Sequence, residues 1–205
     1  MKKGFQEAGV RRIESDEWRL GYTNDFKAFV HEHPAIIRTV IKPLSEIAND
    51  QKASAGSSKE EGGIKITLEK KRYKSNSYSI EAYGKKFFLK MGRYSKERGY
   101  DEFVASVEAK KKIARIQDRL PMKVDIVDYQ LGFTQGKLNF FVAPWINLKD
   151  LVTYRHELTQ EQKIALDSTL SILFEEFNDY EDFGGPNMGY NPETNSLVIF
   201  DLQKK

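Results

Sequence analysis

Apolar positions along the chain change period several times. In the first fifty residues they recur at helical spacing. Phe26, Phe29 and Val30 share one face behind a candidate cap at Asn24, and Ile36, Ile37, Val40, Ile41, Leu44 and Ile47 repeat the pattern. Pro43 should kink or break the second helix, because proline has no N–H to give and its ring crowds the preceding turn. Residues 49–63 read NDQKASAGSSKEEGG, with almost nothing to bury, the composition of a flexible linker or disordered loop. Helices as short as those before it need a surface to dock on.

From Ile64 the period falls to two. Ile64, Ile66 and Leu68 alternate with Lys65, Thr67 and Glu69, and Tyr78, Ile80 and Ala82 alternate with Ser79 and Glu81. A tight turn at Tyr83-Gly84-Lys85 leads into an aromatic-rich strand over 86–91. Residues 97–118 return to the helical period until Pro121 stops them, and strands over 124–133 and 137–144 follow. The order β-β-β-α-β-β predicts an antiparallel sheet of five strands with one inserted helix. Past Trp145 the pattern is helical again. Asn147 is a candidate cap, and Thr159 opens a capping box with Gln162. Behind that box Leu166, Leu170, Leu173, Phe174 and Phe177 form an amphipathic stripe. An apolar strand over 196–202 closes the chain.

These patterns divide the chain into an N-terminal helical extension (1–48), a flexible linker (49–63), a sheet-rich part (64–144) and a helical part (145–205). A length of 205 residues with 40% hydrophobic and 31% charged content suits one domain, or one domain with a small appendage. The 33 basic and 30 acidic side chains leave a net charge of +3, too small and too mixed to imply a nucleic-acid binder. Lys110-Lys111-Lys112 reads as a solvated helix face. The absence of cysteine excludes a disulfide scaffold, thiolate chemistry and Cys metal ligands. No apolar run approaches the roughly 18–20 residues needed to span a bilayer. The start, Met1-Lys2-Lys3-Gly4, has the basic end of a signal peptide without an apolar segment behind it. The composition therefore reads as a soluble, cytoplasmic protein with no membrane partner. His31, His33 and His156 have no metal-ligand spacing.

Five positions carry candidate chemistry. Asp182, Asn187 five residues later, and Asp201 at the end of an apolar strand can converge on one site, and oxygen donors of this kind suit Mg²⁺. The same Asp182 and Asn187 beside Gly184, Gly185 and Pro186 also suit a plain turn. Lys90 is a charge inside the apolar strand Phe87-Phe88-Leu89-Lys90-Met91, so it must reach solvent, an acid or a bound anion. Glu108, 18 residues on, is a candidate ion-pair partner, with Glu102 in competition.

On these residues, over about 64–205, the sequence resembles the protein-kinase-like superfamily in its reduced form, similar to aminoglycoside phosphotransferases and RIO-type kinases. Phe87-Phe88-Leu89-Lys90 looks like the family's strand-three lysine motif and Glu108 like its helix glutamate. Tyr180-Glu181-Asp182, Asn187 and Asp201-Leu202-Gln203 stand where its His-Arg-Asp, its Asn and its Asp-Phe-Gly lie. The resemblance implies an ATP- and Mg²⁺-dependent phosphotransferase with an unidentified acceptor, a small molecule or a protein. Lys90 would hold the α/β-phosphates, Asp182 would accept the acceptor's proton, and Asn187 and Asp201 would hold Mg²⁺. Ser75, Asn76 and Ser77 would lie in the phosphate loop, and Val142, Ala143 and Trp145 in the segment that meets adenine.

The sequence departs from the family in four places. The loop Tyr73-Lys74-Ser75-Asn76-Ser77 has no glycine, Tyr180 and Gln203 replace a histidine and a glycine, and four residues follow Asp201, implying a truncated helical lobe. These departures leave a catalytically inactive pseudokinase, binding nucleotide or a partner protein, as the alternative. An adaptor acting through its N-terminal helices is the third. Those helices are expected to pack on the domain in cis, or on a second copy in a homodimer, and to cover Leu173, Phe174 and Phe177.

Overall fold

In the computed structural model the chain is α+β, with a large antiparallel sheet and five α-helices among the described residues. The structure describes residues 3–7, 9–72, 75–92, 99–135, 138–181 and 183–204. The chain opens with strands β1 (Lys3–Glu7), β2 (Val10–Glu14) and β3 (Arg19–Thr23) and helices α1 (Asn24–Glu32) and α2 (Ile36–Asn49). Strands β4 (Ser58–Glu61), β5 (Ile64–Lys71), β6 (Ser75–Ala82) and β7 (Lys85–Gly92) lead to helix α3 (Gly99–Ile116). Next come β8 (Val124–Ile126), β9 (Leu131–Gln135), β10 (Leu138–Pro144), β11 (Lys149–Asp150), α4 (Leu151–Glu157) and α5 (Gln160–Glu176). The last strands are β12 (Tyr180–Glu181), β13 (Met188–Asn191), β14 (Ser196–Ile199) and β15 (Gln203–Lys204). Two units emerge: Met1–Phe103 with Tyr129–Trp145, and Val104–Asp128 with Ile146–Lys205.

In the first unit nine strands among the described residues form one sheet, in the order β1-β2-β3-β9-β10-β7-β6-β5-β4. Its centre is β9-β10-β7-β6-β5, which contains the strands expected over 64–91 and 137–144 and only the later half of the one expected over 124–133. β4 extends one edge and β1–β3 the other, so the sheet is wider than the alternation predicts. The reason lies in the added segments. Val10–Glu14 and Arg19–Thr23 mix charges with few apolar residues, and pairing gives them extended structure, β3 on β9 and β2 on β3. β4 is exposed at all four positions, lies within the stretch expected to be a flexible linker, and pairs with β5. A polar edge of this kind discourages further strand pairing.

One face of this sheet carries Ile64, Ile66, Leu68, Tyr78, Ile80, Phe87 and Leu89, all buried beneath Phe29, Ile36 and Ile47 of α1 and α2. Burying each large side chain stabilises the fold by about 1.5–3 kcal/mol. The N-terminal helices therefore dock in cis, α2 on β4 and β5 and α1 on β3. α2 runs through Pro43 unbroken; Pro43 is itself buried, with Ile36 and Ile47 buried on either side, and this packing offsets the missing backbone bond. Thr23, rather than Asn24, caps α1, its Oγ1 accepting from the Phe26 N–H at 3.2 Å.

The second unit is built on α5. Leu166, Leu173 and Phe177 are fully buried against Ala109, Ile113, Leu197, Ile199 and Leu202, while Phe174 turns outward. The stripe read from the sequence is thus covered by its own unit. Its sheet runs β11-β13-β14-β8, and β14 and β8 pair in parallel. The single strand expected over 124–133 is therefore two, β8 and β9, with different partners. Asp150, rather than Asn147, caps α4 by accepting from the Thr153 N–H at 2.8 Å. No helix among the described residues is long and apolar enough to cross a membrane.

Candidate functional site

Lys90 lies on the face of β7 opposite Phe87 and Leu89, so alternation turns its side chain away from α1 and α2. Its cross-strand neighbours are Ser77 on β6 and Phe141 on β10. Its Nζ stands 3.8 Å from Glu102 Oε1 and 5.4 Å from the Phe141 ring centroid. The Lys90 and Glu102 side chains are 19% and 4% exposed. Two charges about 4 Å apart attract by roughly 4 kcal/mol at an effective dielectric near 20, and desolvation takes back much of that. The pair's main effect is to fix the ammonium in place.

Glycine brings Glu102 there. Gly21 and Gly132 are register partners on β3 and β9, and a Cβ on either would collide with Phe103; one on Gly99 would strike the carbonyls of Phe133 and Phe140. The first turn of α3 can therefore lie directly on the strands, with the Tyr100 N–H donating to Thr134 Oγ1 at 3.1 Å. This corrects the expected pairing with Glu108. Six residues further on, Glu108 is rotated by roughly 120° and displaced by about 9 Å along the helix, and it pairs with Lys204.

The remaining positions of this unit separate. Ser75, Asn76 and Ser77 belong to β6 rather than to a loop. Ser77 shares the Lys90 face, whereas Asn76 is buried on the other and donates to the Tyr78 hydroxyl at 2.9 Å. Val142 and Ala143 are buried. The Val142 carbonyl accepts from the Gln130 N–H at 2.8 Å, and the Trp145 N–H donates to the Lys86 carbonyl at 2.9 Å. The Trp145 ring sits 4.3 Å from Lys86 Nζ and 6.4 Å from the Phe88 ring, extending the aromatic surface beside Lys90.

In the second unit the β13–β14 hairpin brings Asn187 and Asp201 to its open end. Asn187 closes a short 3-10 turn, and its carbonyl accepts from the Phe200 N–H at 3.0 Å, one step beyond the Met188–Ile199 pair. Asp201 follows with φ 56°, in the left-handed region. Tyr83 and Asn195 share that conformation inside tight turns between paired strands, but Asp201 does so outside any hairpin. Non-glycine residues held there cost about 1 kcal/mol or more and concentrate at functional sites. Asp182 lies outside the described residues.

A cavity of about 570 Å³ opens in the same unit. Leu148, Leu151, Met188, Gly189 and Phe200 give it apolar walls. Its lining includes Pro186 and Met188, which flank Asn187, and Phe200, which precedes Asp201. Each charged lining group has a partner: Arg155 holds Asp167 through both guanidinium nitrogens, Lys149 reaches Glu157 at 2.6 Å, and Asp150 accepts from Thr153. The Arg155 hydrogen bond keeps the Asp167 carboxyl below the usual range. Among the described residues no three His, Cys, Asp or Glu side chains cluster as a self-sufficient metal site. The amide of Asn187 and the carboxylate of Asp201 are oxygen donors of the type that Mg²⁺ takes, an ion that uses few protein ligands and completes its shell with phosphate and water.

No family model and no curated protein matches the chain. Among solved structures it is similar to one described as the structure of vaccinia related kinase 3, with a TM-score of 0.41 and 14% identity, covering 78% of this chain and 54% of that chain. The match thus spans about half of that chain's length.

Proposed function

We propose that the protein is a kinase-like, ATP- and Mg²⁺-dependent phosphotransferase. The observation that carries this reading is the cavity of about 570 Å³ whose lining includes the sequence neighbours of both Asn187 and Asp201. An apolar-walled cavity whose lining adjoins Asn187 and Asp201 in sequence suits a nucleotide, whose base is apolar on its faces and whose phosphates need cations. Lys90, fixed by Glu102, is the phosphate-binding cation, and Asn187 and Asp201 are the metal ligands. Mg²⁺, when bound, neutralises charge on the transferred phosphate. Asp182 is proposed as proton acceptor on the resemblance alone.

A second reading, a pseudokinase that binds nucleotide or a partner protein, is favoured by Phe88. The family motif V-A-I-K has alanine at that place. Here a phenyl ring stands 6.1 Å from Phe141 and 6.4 Å from Trp145, filling the sheet surface beside Lys90.

Calorimetry with ADP, adenosine and Mg²⁺ tests both. Lys90→Ala should weaken ADP binding far more than adenosine binding, since only ADP carries the anion. Asp201→Asn should remove the Mg²⁺-dependent part of the affinity. A wild-type protein that binds neither ligand would overturn the nucleotide reading; binding without turnover on any acceptor would select the pseudokinase.

A further inference from the structure

The β2–β3 hairpin holds the residues on both sides of Glu102. On the N-terminal side, the Tyr100 hydroxyl donates to Glu14 Oε1 at 2.6 Å, and the Arg19 guanidinium lies 5.2 Å from the Tyr100 ring centroid. Arg19 Nη1 also donates to Asp101 Oδ1 at 3.1 Å, in a pair about one third exposed. On the C-terminal side, the fully buried Phe103 lies on Gly21 of β3. Residues 100, 101 and 103 are therefore all tied to a hairpin that lies outside the five central strands of the sheet. Burial, and then Glu14, push the Tyr100 phenol well above the ordinary tyrosine range, so it stays a donor.

We propose that the β2–β3 hairpin is a positioning clamp: through Glu14, Arg19 and Gly21 it fixes the first turn of α3 and thereby holds Glu102 on Lys90. The functional part of this inference rests on Lys90 being the phosphate cation; the geometric part does not. First turns of helices fray unless their backbone donors and side chains are held. Here the α3 start has Thr134 for its Tyr100 N–H and the hairpin for three side chains. Glu14, Arg19 and Tyr100 act through Glu102 and are positioning residues.

The test is the reactivity of Lys90 in the full chain without nucleotide, read by trace acylation with an amine-directed reagent and site-resolved mass spectrometry. Glu102→Gln sets the rate for a Lys90 that has lost its Glu102 charge partner. Arg19→Ala, Tyr100→Phe and Glu14→Ala should each raise Lys90 labelling several-fold towards that rate. Glu14→Gln keeps an acceptor for the Tyr100 hydroxyl and should stay near wild type. Labelling of Lys204, held by Glu108, should not change, which separates local release from unfolding. A fall in melting temperature with Lys90 labelling unchanged would show a merely structural staple and overturn the clamp. In a second arm, the clamp variants should lose ADP affinity and keep adenosine affinity. A wild type that binds neither nucleotide refutes the phosphate role of Lys90, while the labelling arm still decides the clamp.

Discussion

Helix α3 carries two glutamates, each paired to a lysine, and the shorter contact belongs to the more exposed pair. Glu108 meets Lys204 at 2.5 Å with side chains 35% and 48% exposed, whereas Glu102 meets Lys90 at 3.8 Å with side chains 4% and 19% exposed. Distance alone would rank the outer pair first. Burial reverses the ranking, because water screens the outer charges and offers either one a substitute partner once the other is removed. The inner charges are less well served by water, since their side chains are 4% and 19% exposed. Breaking a buried pair strands a charge, although the intact pair adds little net stability. The same side-chain chemistry thus serves as a fixed locator at the first turn of α3 and as a weak surface tie two turns later.

The largest expected effect follows from that asymmetry. Glu102→Ala should destabilise the protein by about 3 kcal/mol, the lower end for a broken buried pair because Lys90 keeps some access to water. The shift of the urea midpoint checks it. The double exchange Lys90→Met with Glu102→Leu should be more stable than either single variant, since no charge is left stranded. If Glu102→Ala cost no more than Glu108→Ala, the distinction between the two pairs would collapse.

A smaller effect is expected around the outer pair at alkaline pH. Burial, then Asp179, raises the Tyr180 phenol from 10.0 to about 12, and burial, then Tyr190, raises Tyr154 to about 12. The hydrogen bond to Glu108 raises Lys204 as well. A group whose folded-state pKa is raised holds its proton more tightly when folded. Its contribution is therefore whole below about pH 10 and is lost as pH climbs towards about 12. After screening, each tyrosine accounts for about 1 kcal/mol. Stability followed across this window should fall, and Tyr180→Phe should flatten the curve; a profile unchanged by Tyr180→Phe would remove Tyr180 as a source.

The contrast between the pairs also shows what the sequence could and could not disclose. Period two over Ile64, Ile66 and Leu68 predicts a strand because one face of β5 is buried, and the α5 stripe is readable for the same reason. β4 carries no apolar residue, so no pattern marks it; only the open edge of β5 makes it a strand. The segment over 124–133 looks continuous because apolar residues occur throughout, yet β8 pairs with β14 and β9 with β3 and β10. In the site, a charge inside an apolar strand singled out Lys90, and the spacing of oxygen donors singled out Asn187 and Asp201. The choice of Glu102 over Glu108 depends on which face of α3 meets the sheet. That face is set by Gly21 and Gly132, which are 111 residues apart in sequence and adjacent only after the sheet forms.

The smallest expected effect is the sharpest test of the comparison. Glu108→Ala should cost under about 1 kcal/mol, since an exposed pair gains little over hydrated charges and must order two long side chains. Whatever it costs should also depend on salt. At about 1 M ionic strength the Debye length falls to roughly 3 Å, and wild type and variant should converge in melting temperature. The Glu102→Ala deficit should persist in the same salt, because ions cannot reach a carboxylate that is only 4% exposed. Lys204 has a further reason to tolerate the loss: its Nζ lies 5.9 Å from the Tyr180 ring centroid, and Asp179 also raises its pKa, so other favourable contacts remain when Glu108 is gone. A Glu108→Ala deficit that matched Glu102→Ala and survived high salt would mean that the outer pair is shielded from solvent, and burial would no longer explain the difference between them.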